Sequence, residues 1–360
     1  MLQVSRIAFA GVLAATGFAA LEVAAQDTEL FNDTALQADW WEGNKEFGAD
    51  DTIGAIQRLD QEDILGAAKL IKQGKSATLG KLYASDIPFV GGRGWRMTIP
   101  GTPSGGPFGT EGLVFHDELV LADLGQVSTQ FDGPGHIGVH TSKGDFFYGN
   151  RKREELYSRG PVKNVTGMGV LGTEHVAQRA FVCRGVLLDA AKYRKMDRLP
   201  IPDSPTSPGI ITAQDVQAMV QQQGLQPIGE GDCVFLHTGH GDLWSTAEWP
   251  TLSADQKRER VKQFGAGEPG FGISACEFLA QQKIVLLGAD VWGVEAVPGE
   301  DPKQANPCHV NLQTRRGIWF LENLEFTQLV QDGVYEFMFA WAPLKMVGGT
   351  GSPGNPVAIY

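Results

Sequence analysis

Four short apolar runs constrain what this chain can fold into. Residues 185–190 (GVLLDA), 232–237 (DCVFLH), 284–289 (IVLLGA) and 317–321 (GIWFL) are short for helices and lack polar alternation. They read as strands covered on both faces. Helical patterns separate them. Thr212, with Asp215 three residues on, caps a helix over 212–223, and another spans 274–282. Strands alternating with helices predict the α/β class. Earlier in the chain, 60–72 reads as an amphipathic helix closed by Gly74, and 77–83 as a strand; 334–340 also alternates like a strand. Residues 100–109 (PGTPSGGPFG) read as a surface turn, and 252–270 as a charged surface helix and loop. No linker interrupts 40–345, which reads as one domain, followed by a tail over 346–360.

With 46 Gly and 19 Pro among 360 residues, a coiled coil is excluded. The formal net charge of −12 repels a phosphate backbone, so nucleic acid is not an expected partner. Arg6, the uncharged run 7–20 and the small residues Val23, Ala24 and Ala25 form the pattern of a signal peptide over 1–25. Export to the periplasm or the medium is expected, with an acidic linker over 26–39. The apolar run falls short of the roughly 20 residues a spanning helix needs, and no later run reaches that length. Cys183, Cys233, Cys276 and Cys308 form no CxxC pair. Cys233, within a strand-like run, reads as a buried thiol, and both free and paired states stay open for the four.

The densest polar cluster runs from Ser128 to His140. In an extended chain Gln130 and Asp132 share a face. Pro134 and its flanking glycines turn the chain, bringing His136 toward Asp132. If His136 opens a helix, His140 lies one turn further on the same face. A carbonyl oxygen, a carboxylate and two imidazoles suit Zn²⁺ or Mn²⁺. The same residues also suit a polar turn capped by Asp132 with two surface histidines. His309 and Glu322 can meet only through the fold, and Glu322 follows an apolar strand whose end can face a cleft. His237 and His240 read as a Gly-rich turn. The sequence has no GxSxG elbow, Walker A loop or HExxH helix, and no GxGxxG follows a strand.

Residues 126–136 resemble the signature HxGTHxDxPxH of the cyclase-like metal-dependent hydrolases, which include bacterial kynurenine formamidase and isatin hydrolase. Thr129, Asp132, Pro134 and His136 match it, while Gln126, Ser128 and Gln130 stand where the signature has His, Gly and His. Segments 47–59, 184–189, 211–239, 269–274 and 285–290, and then His309, Gly317 and Glu322, are similar to later family segments in the same order. The resemblance implies one swivelling β/β/α domain with a mixed sheet, assembled as homodimers or homotetramers. It implies a divalent metal, Mn²⁺ or Zn²⁺, at Gln130, Asp132 and His136, with His309 and Glu322 completing the site or holding a second ion. It gives His140, four residues past the last motif histidine, the acid/base role, with Glu322 as ligand or second proton carrier. The implied reaction is hydrolysis of an amide, imide, lactone or ester bond of a small cyclic or aromatic substrate by metal-activated water. Phe131, Phe146, Phe147, Trp292 and Trp319 either wall the substrate or pack the core. An exported protein that binds a small molecule without turnover is a second reading, and fits the unusual Gln126, Ser128 and Gln130. A metal-dependent cyclase or dehydratase is a third.

Overall fold

A computed structural model describes residues 31–156, 158–159 and 166–360, so the expected signal peptide lies outside the described residues. The strands of the main sheet are β1 (Ser76–Thr78), β2 (Gln130–Asp132), β3 (Phe181–Asp189), β4 (Cys233–His237), β5 (Leu286–Ala289), β6 (Trp319–Glu322), β7 (Glu336–Trp341), β8 (Gly351–Pro353) and β9 (Val357–Ile359). Their order across the sheet is β1-β9-β7-β3-β4-β5-β6-β2-β8. Strands β3 to β6 run parallel to one another. The remaining neighbours are antiparallel, so the sheet is mixed.

The four apolar runs are the four parallel strands. Every residue of β4, β5 and β6 is buried, which is why no polar alternation marks them. Helix α1 (Gln61–Ala68) ends short of the expected Lys72. Helix α2 (Ala213–Gln222) links β3 to β4, and α3 (Ala254–Phe264) and α4 (Ile273–Gln281) lie between β4 and β5. Thr212 and Asp215 form the expected capping box of α2, and Ser253 with Gln256 caps α3. The charged helix α3 is anchored by its last residue, Phe264, which packs edge-on against Trp244 at 5.8 Å.

Several expectations change. Phe131 is fully buried on the face of β2 opposite Gln130 and Asp132, where its ring meets Trp341 at 5.0 Å and Phe181 at 5.9 Å. Trp319 is also core, its ring edge-on to Tyr148 and its indole N–H donating to the Ile53 carbonyl at 2.8 Å. The four cysteines are paired, Cys183 with Cys233 and Cys276 with Cys308. The first disulfide links β3 to β4, and the second ties α4 to the residue before His309.

Residues 31–39, expected as linker, form two short 3-10 turns that bury Ala35. The Asn32 N–H donates to the His140 carbonyl at 2.8 Å. Residues 346–360, expected as tail, contribute β8 and β9 to the sheet. Residues 100–109 belong to an arm of two ribbons, Trp95–Thr98 with Leu119–Ala122 and Gly105–Phe108 with Leu113–Phe115.

Because Phe131 fills the core, Phe131→Ala is expected to cost about 3–5 kcal/mol, read from denaturant unfolding midpoints. A loss below 1 kcal/mol, on that same scale for buried aromatic deletions, contradicts the core placement.

Candidate metal centre

The site begins with one antiparallel pairing. Strand β2 lies beside β6 with Gln130 opposite Glu322 and Asp132 opposite Phe320. Directly opposed residues project to the same face, so these four share one surface. On its other side β2 pairs with β8, where Gly351 lies opposite Asp132. A Cβ at Gly351 would come within 2.6 Å of the Phe131 carbonyl, so only glycine allows this close approach.

His309 opens a π-helical turn (His309–Thr314) and reaches the same face. Its ring stands edge-on over Phe320 at 4.7 Å. Its Nδ1 lies 2.5 Å from Glu295 Oε1, and Glu295 also accepts the backbone N–H groups of Cys308 and His309 at 2.9 and 3.0 Å. The ring is thus fixed with Nε2 facing two carboxylates, 3.3 Å from Glu322 Oε1 and 3.7 Å from Asp132 Oδ2. One ligand atom from each of Asp132, His309 and Glu322 lies within 4.8 Å of the others, and all three residues are buried.

Amide donors surround them. Gln126 Nε2 donates to Asp132 Oδ1 at 2.9 Å, Gln313 Nε2 to Asp132 Oδ2 at 3.5 Å, and Gln130 Nε2 to Glu322 Oε2 at 2.6 Å. His136 Nε2 stands 3.6 Å from Asp132 Oδ2.

The electrostatics are those of a site with surplus negative charge. Burial, reinforced by Asp132, raises the Glu322 carboxyl above its ordinary range. Burial and Glu322 hold Glu268 well above its own. Burial opposes a charged His309, but its hydrogen bonds to Glu295 and Glu322 prevail and raise its pKa. Burial, together with the charges of His309 and Arg93, outweighs Asp132 and holds His136 below the usual 6.5. Among the described residues the buried Glu268 Oε1 has no hydrogen-bond partner.

Two buried carboxylates and an imidazole anchored through its far nitrogen make a donor set that fits a divalent cation. Asp132, His309 and Glu322 would hold it. The uncompensated acids point the same way, because buried charge must be paired or neutralised.

The fold therefore gathers Gln130, Asp132, His309 and Glu322. His136 stands beside the cluster without belonging to it. His140 is elsewhere, because Gly138–Thr141 is a strand and not a helix. That strand pairs with Gly144–Phe147, and its alternation buries Val139 and Thr141 while exposing His140. His140 Nδ1 pairs with Asp145 Oδ1 at 2.6 Å, and its ring stacks on Phe31 at 5.1 Å. Phe146 is buried in a separate apolar cluster with Trp41 and Val139, and Phe147 packs against the main core. Of the five expected wall residues, Trp292 alone lines the cleft beside Gln126 and Gln130. His237 pairs with Asp189 at 2.9 Å at the ends of β4 and β3, and His240 stacks on Phe264. Gln126, Glu268, Glu295 and Gln313 were not expected as site residues. Only Gln126 carried a signal, its place at the first histidine of the motif.

The sequence profile of the Cyclase family, described as "Putative cyclase", matches residues 94–296, more than half of the chain, and the protein belongs to that family. A solved structure described as a novel cyclase is 26% identical with a TM-score of 0.70, over 89% of this chain and 100% of its own. An isatin hydrolase bound to the product analogue thioisatinate matches at 18% identity and TM-score 0.51, over 84% of this chain and 99% of its own. Isatin hydrolase A from Ralstonia solanacearum matches at 19% identity and TM-score 0.50, covering 79% of this chain and 91% of its own. Those two likenesses establish a shared fold. No curated protein matches the chain.

Asp132→Ala is expected to abolish stoichiometric binding of Mn²⁺ and Zn²⁺, measured by elemental analysis after dialysis, with the far-UV circular dichroism unchanged. Retained stoichiometry removes Asp132 from the site.

Proposed function

We propose that this protein is a metal-dependent hydrolase that cleaves an amide, imide, lactone or ester bond of a small substrate. The observation that carries the reading is the Asp132–His309–Glu322 cluster, with the His136 imidazole 3.6 Å from one of its carboxylates. A dication held there supplies Lewis acidity, which acidifies water and polarises a carbonyl. Mn²⁺ and Zn²⁺ both suit the mixed nitrogen and oxygen donors.

The chain's own groups divide the remaining work. His136 accepts a proton at Nε2 from the attacking water, and Asp132 Oδ2 beside it stabilises the imidazolium formed. His136 then returns that proton to the leaving nitrogen or oxygen. Gln130 and Gln126 keep Glu322 and Asp132 oriented. Phe264 and Trp292 form the apolar wall of the cleft. His140, exposed and paired with Asp145, takes no part.

Binding without turnover is the weaker reading, because it gives no use to an imidazole anchored by Glu295 against two acids. A cyclase or dehydratase uses the same groups without net uptake of water. Turnover in ¹⁸O-labelled water separates them: the hydrolase incorporates one solvent oxygen into product, and the other two incorporate none. Export is part of the proposal, and the two disulfides support an oxidising compartment. Among the described residues no helix is long and apolar enough to cross a membrane.

The homodimer or homotetramer expected from the resemblance gains a candidate surface in the arm. Met97, Phe108, Leu113, Leu119 and Leu121 are exposed along it, Leu121 by 75%. Two-stranded ribbons with this much apolar surface are marginal in water unless covered. A second copy of the chain is the proposed cover. Leu121→Asp is expected to shift sedimentation equilibrium toward monomer; an unchanged mass rejects the arm as the interface.

For the proton transfer, His136→Ala should lower kcat/KM by about 10²–10⁴-fold on whichever N-acyl or lactone substrate is turned over, while the metal stays bound. His140→Ala should keep the wild-type value. The reverse pattern returns the proton-transfer role to His140.

A further inference from the structure

The cleft lined by Gln130, whose amide bonds Glu322 of the cluster, contains polar groups that the hydrolysis proposed above does not use. Its wall includes Phe89, Arg93, Gln126, Phe264, Trp292 and Asn323. Arg93 is half-buried, and among the described residues its guanidinium has no hydrogen-bond or ion-pair partner. Its charge reaches His136. The indole Nε1 of Trp292 is buried and donates to nothing among the described residues, although the backbone N–H of the same residue is fixed on Glu268 Oε2 at 2.7 Å. The Oδ1 of Asn323 is a buried acceptor without a donor among the described residues, while its Nδ2 donates to the Ser128 carbonyl at 3.0 Å.

Buried donors and acceptors are rarely left open, because each costs the desolvation of a polar group with no return. Two such groups and a half-buried arginine on one cleft define a ligand by complement. A permanent cation with a planar fork, beside an indole N–H, matches a carboxylate. An amide acceptor matches an N–H. Phe89 and Phe264 match an apolar body. The acids of the metal cluster would repel a carboxylate, so an unpaired arginine is what allows one to enter.

We propose that Arg93 and Trp292 form a carboxylate-recognition subsite and that Asn323 accepts the N–H of the scissile amide. The substrate class is then a small amide carrying a carboxylate near the bond that breaks. The proposal rests on the hydrolase reading for the word scissile, but the subsite itself is a matter of binding.

The test is calorimetric titration of the full, Mn²⁺-loaded protein with phenylacetate and with phenylacetamide, which share a body and differ in charge. Wild type is expected to bind the acid tighter than the amide by about tenfold or more. Arg93→Gln should reduce that ratio about tenfold, Arg93→Lys should restore part of it, and Trp292→Phe should weaken the acid selectively. Equal binding of the two probes by wild type, or an unchanged ratio in Arg93→Gln, overturns the subsite. Turnover of N-acetylphenylalanine and of its neutral N-methylamide is measured in parallel. Hydrolysis of both at equal kcat/KM, with no discrimination in binding, defeats the subsite and leaves the hydrolase reading standing. Discrimination in binding without turnover of any amide or lactone does the opposite.

Discussion

The pairing of β2 with β6 is the constraint on which the rest depends. It places Gln130 opposite Glu322 and leaves Asp132 on the same face. A slip of one residue would turn Gln130 and Asp132 into the core and push Phe131 into the site. The register is held from both faces. Behind the strand, Phe131 is locked between Phe181 and Trp341. In front, Gln130 Nε2 is bonded to Glu322. At the edge, β8 passes close because position 351 is glycine. The apolar core and the polar site thus fix each other's register through alternate residues of one short strand.

The site concentrates four buried acids, Asp132, Glu268, Glu295 and Glu322, around the His309 imidazole. Such a group is stable only with its charge offset. Glu295 is committed to holding the His309 ring and its backbone. Glu268 faces the site with an unpartnered oxygen, and burial holds it toward its neutral form. Asp132 and Glu322 remain as the pair whose charge a dication would balance. The disulfide from Cys308 to Cys276 fixes the chain beside His309 to α4, so the imidazole is restrained covalently as well as by hydrogen bonds.

What was legible in the sequence followed from local physics. The buried strands and the Thr212 cap are properties of a few consecutive residues, and so is the shared face of Gln130 and Asp132. What was not legible depended on distant partners. Strands β8 and β9 have three residues each, and their partners in the sheet come from far earlier in the chain for β2 and β1. His140 was misplaced because i to i+4 spacing puts it beside His136 only in a helix, whereas Gly138 begins a hairpin strand. Phe131 offered equal support for wall and core, and only the identity of the opposite face decided between them. Glu295 and Gln313 carry no motif at all; their roles exist only once His309 is in place.

The glutamines at 126 and 130 change what the site can do. An imidazole in either position would offer a nitrogen lone pair to a cation and would titrate near neutrality. A primary amide does neither. It carries a donor and an acceptor on one pivot, and here both amides turn their donors toward carboxylates. Two consequences follow from that exchange. The nitrogen donors of the cluster reduce to His309, which makes the shell richer in oxygen and moves its preference from softer toward harder dications. In the proposed hydrolysis proton transfer falls to His136, the imidazole beside Asp132, whose pKa burial lowers. Under that proposal ion binding and proton transfer are separate tasks, the first for His309 and the second for His136.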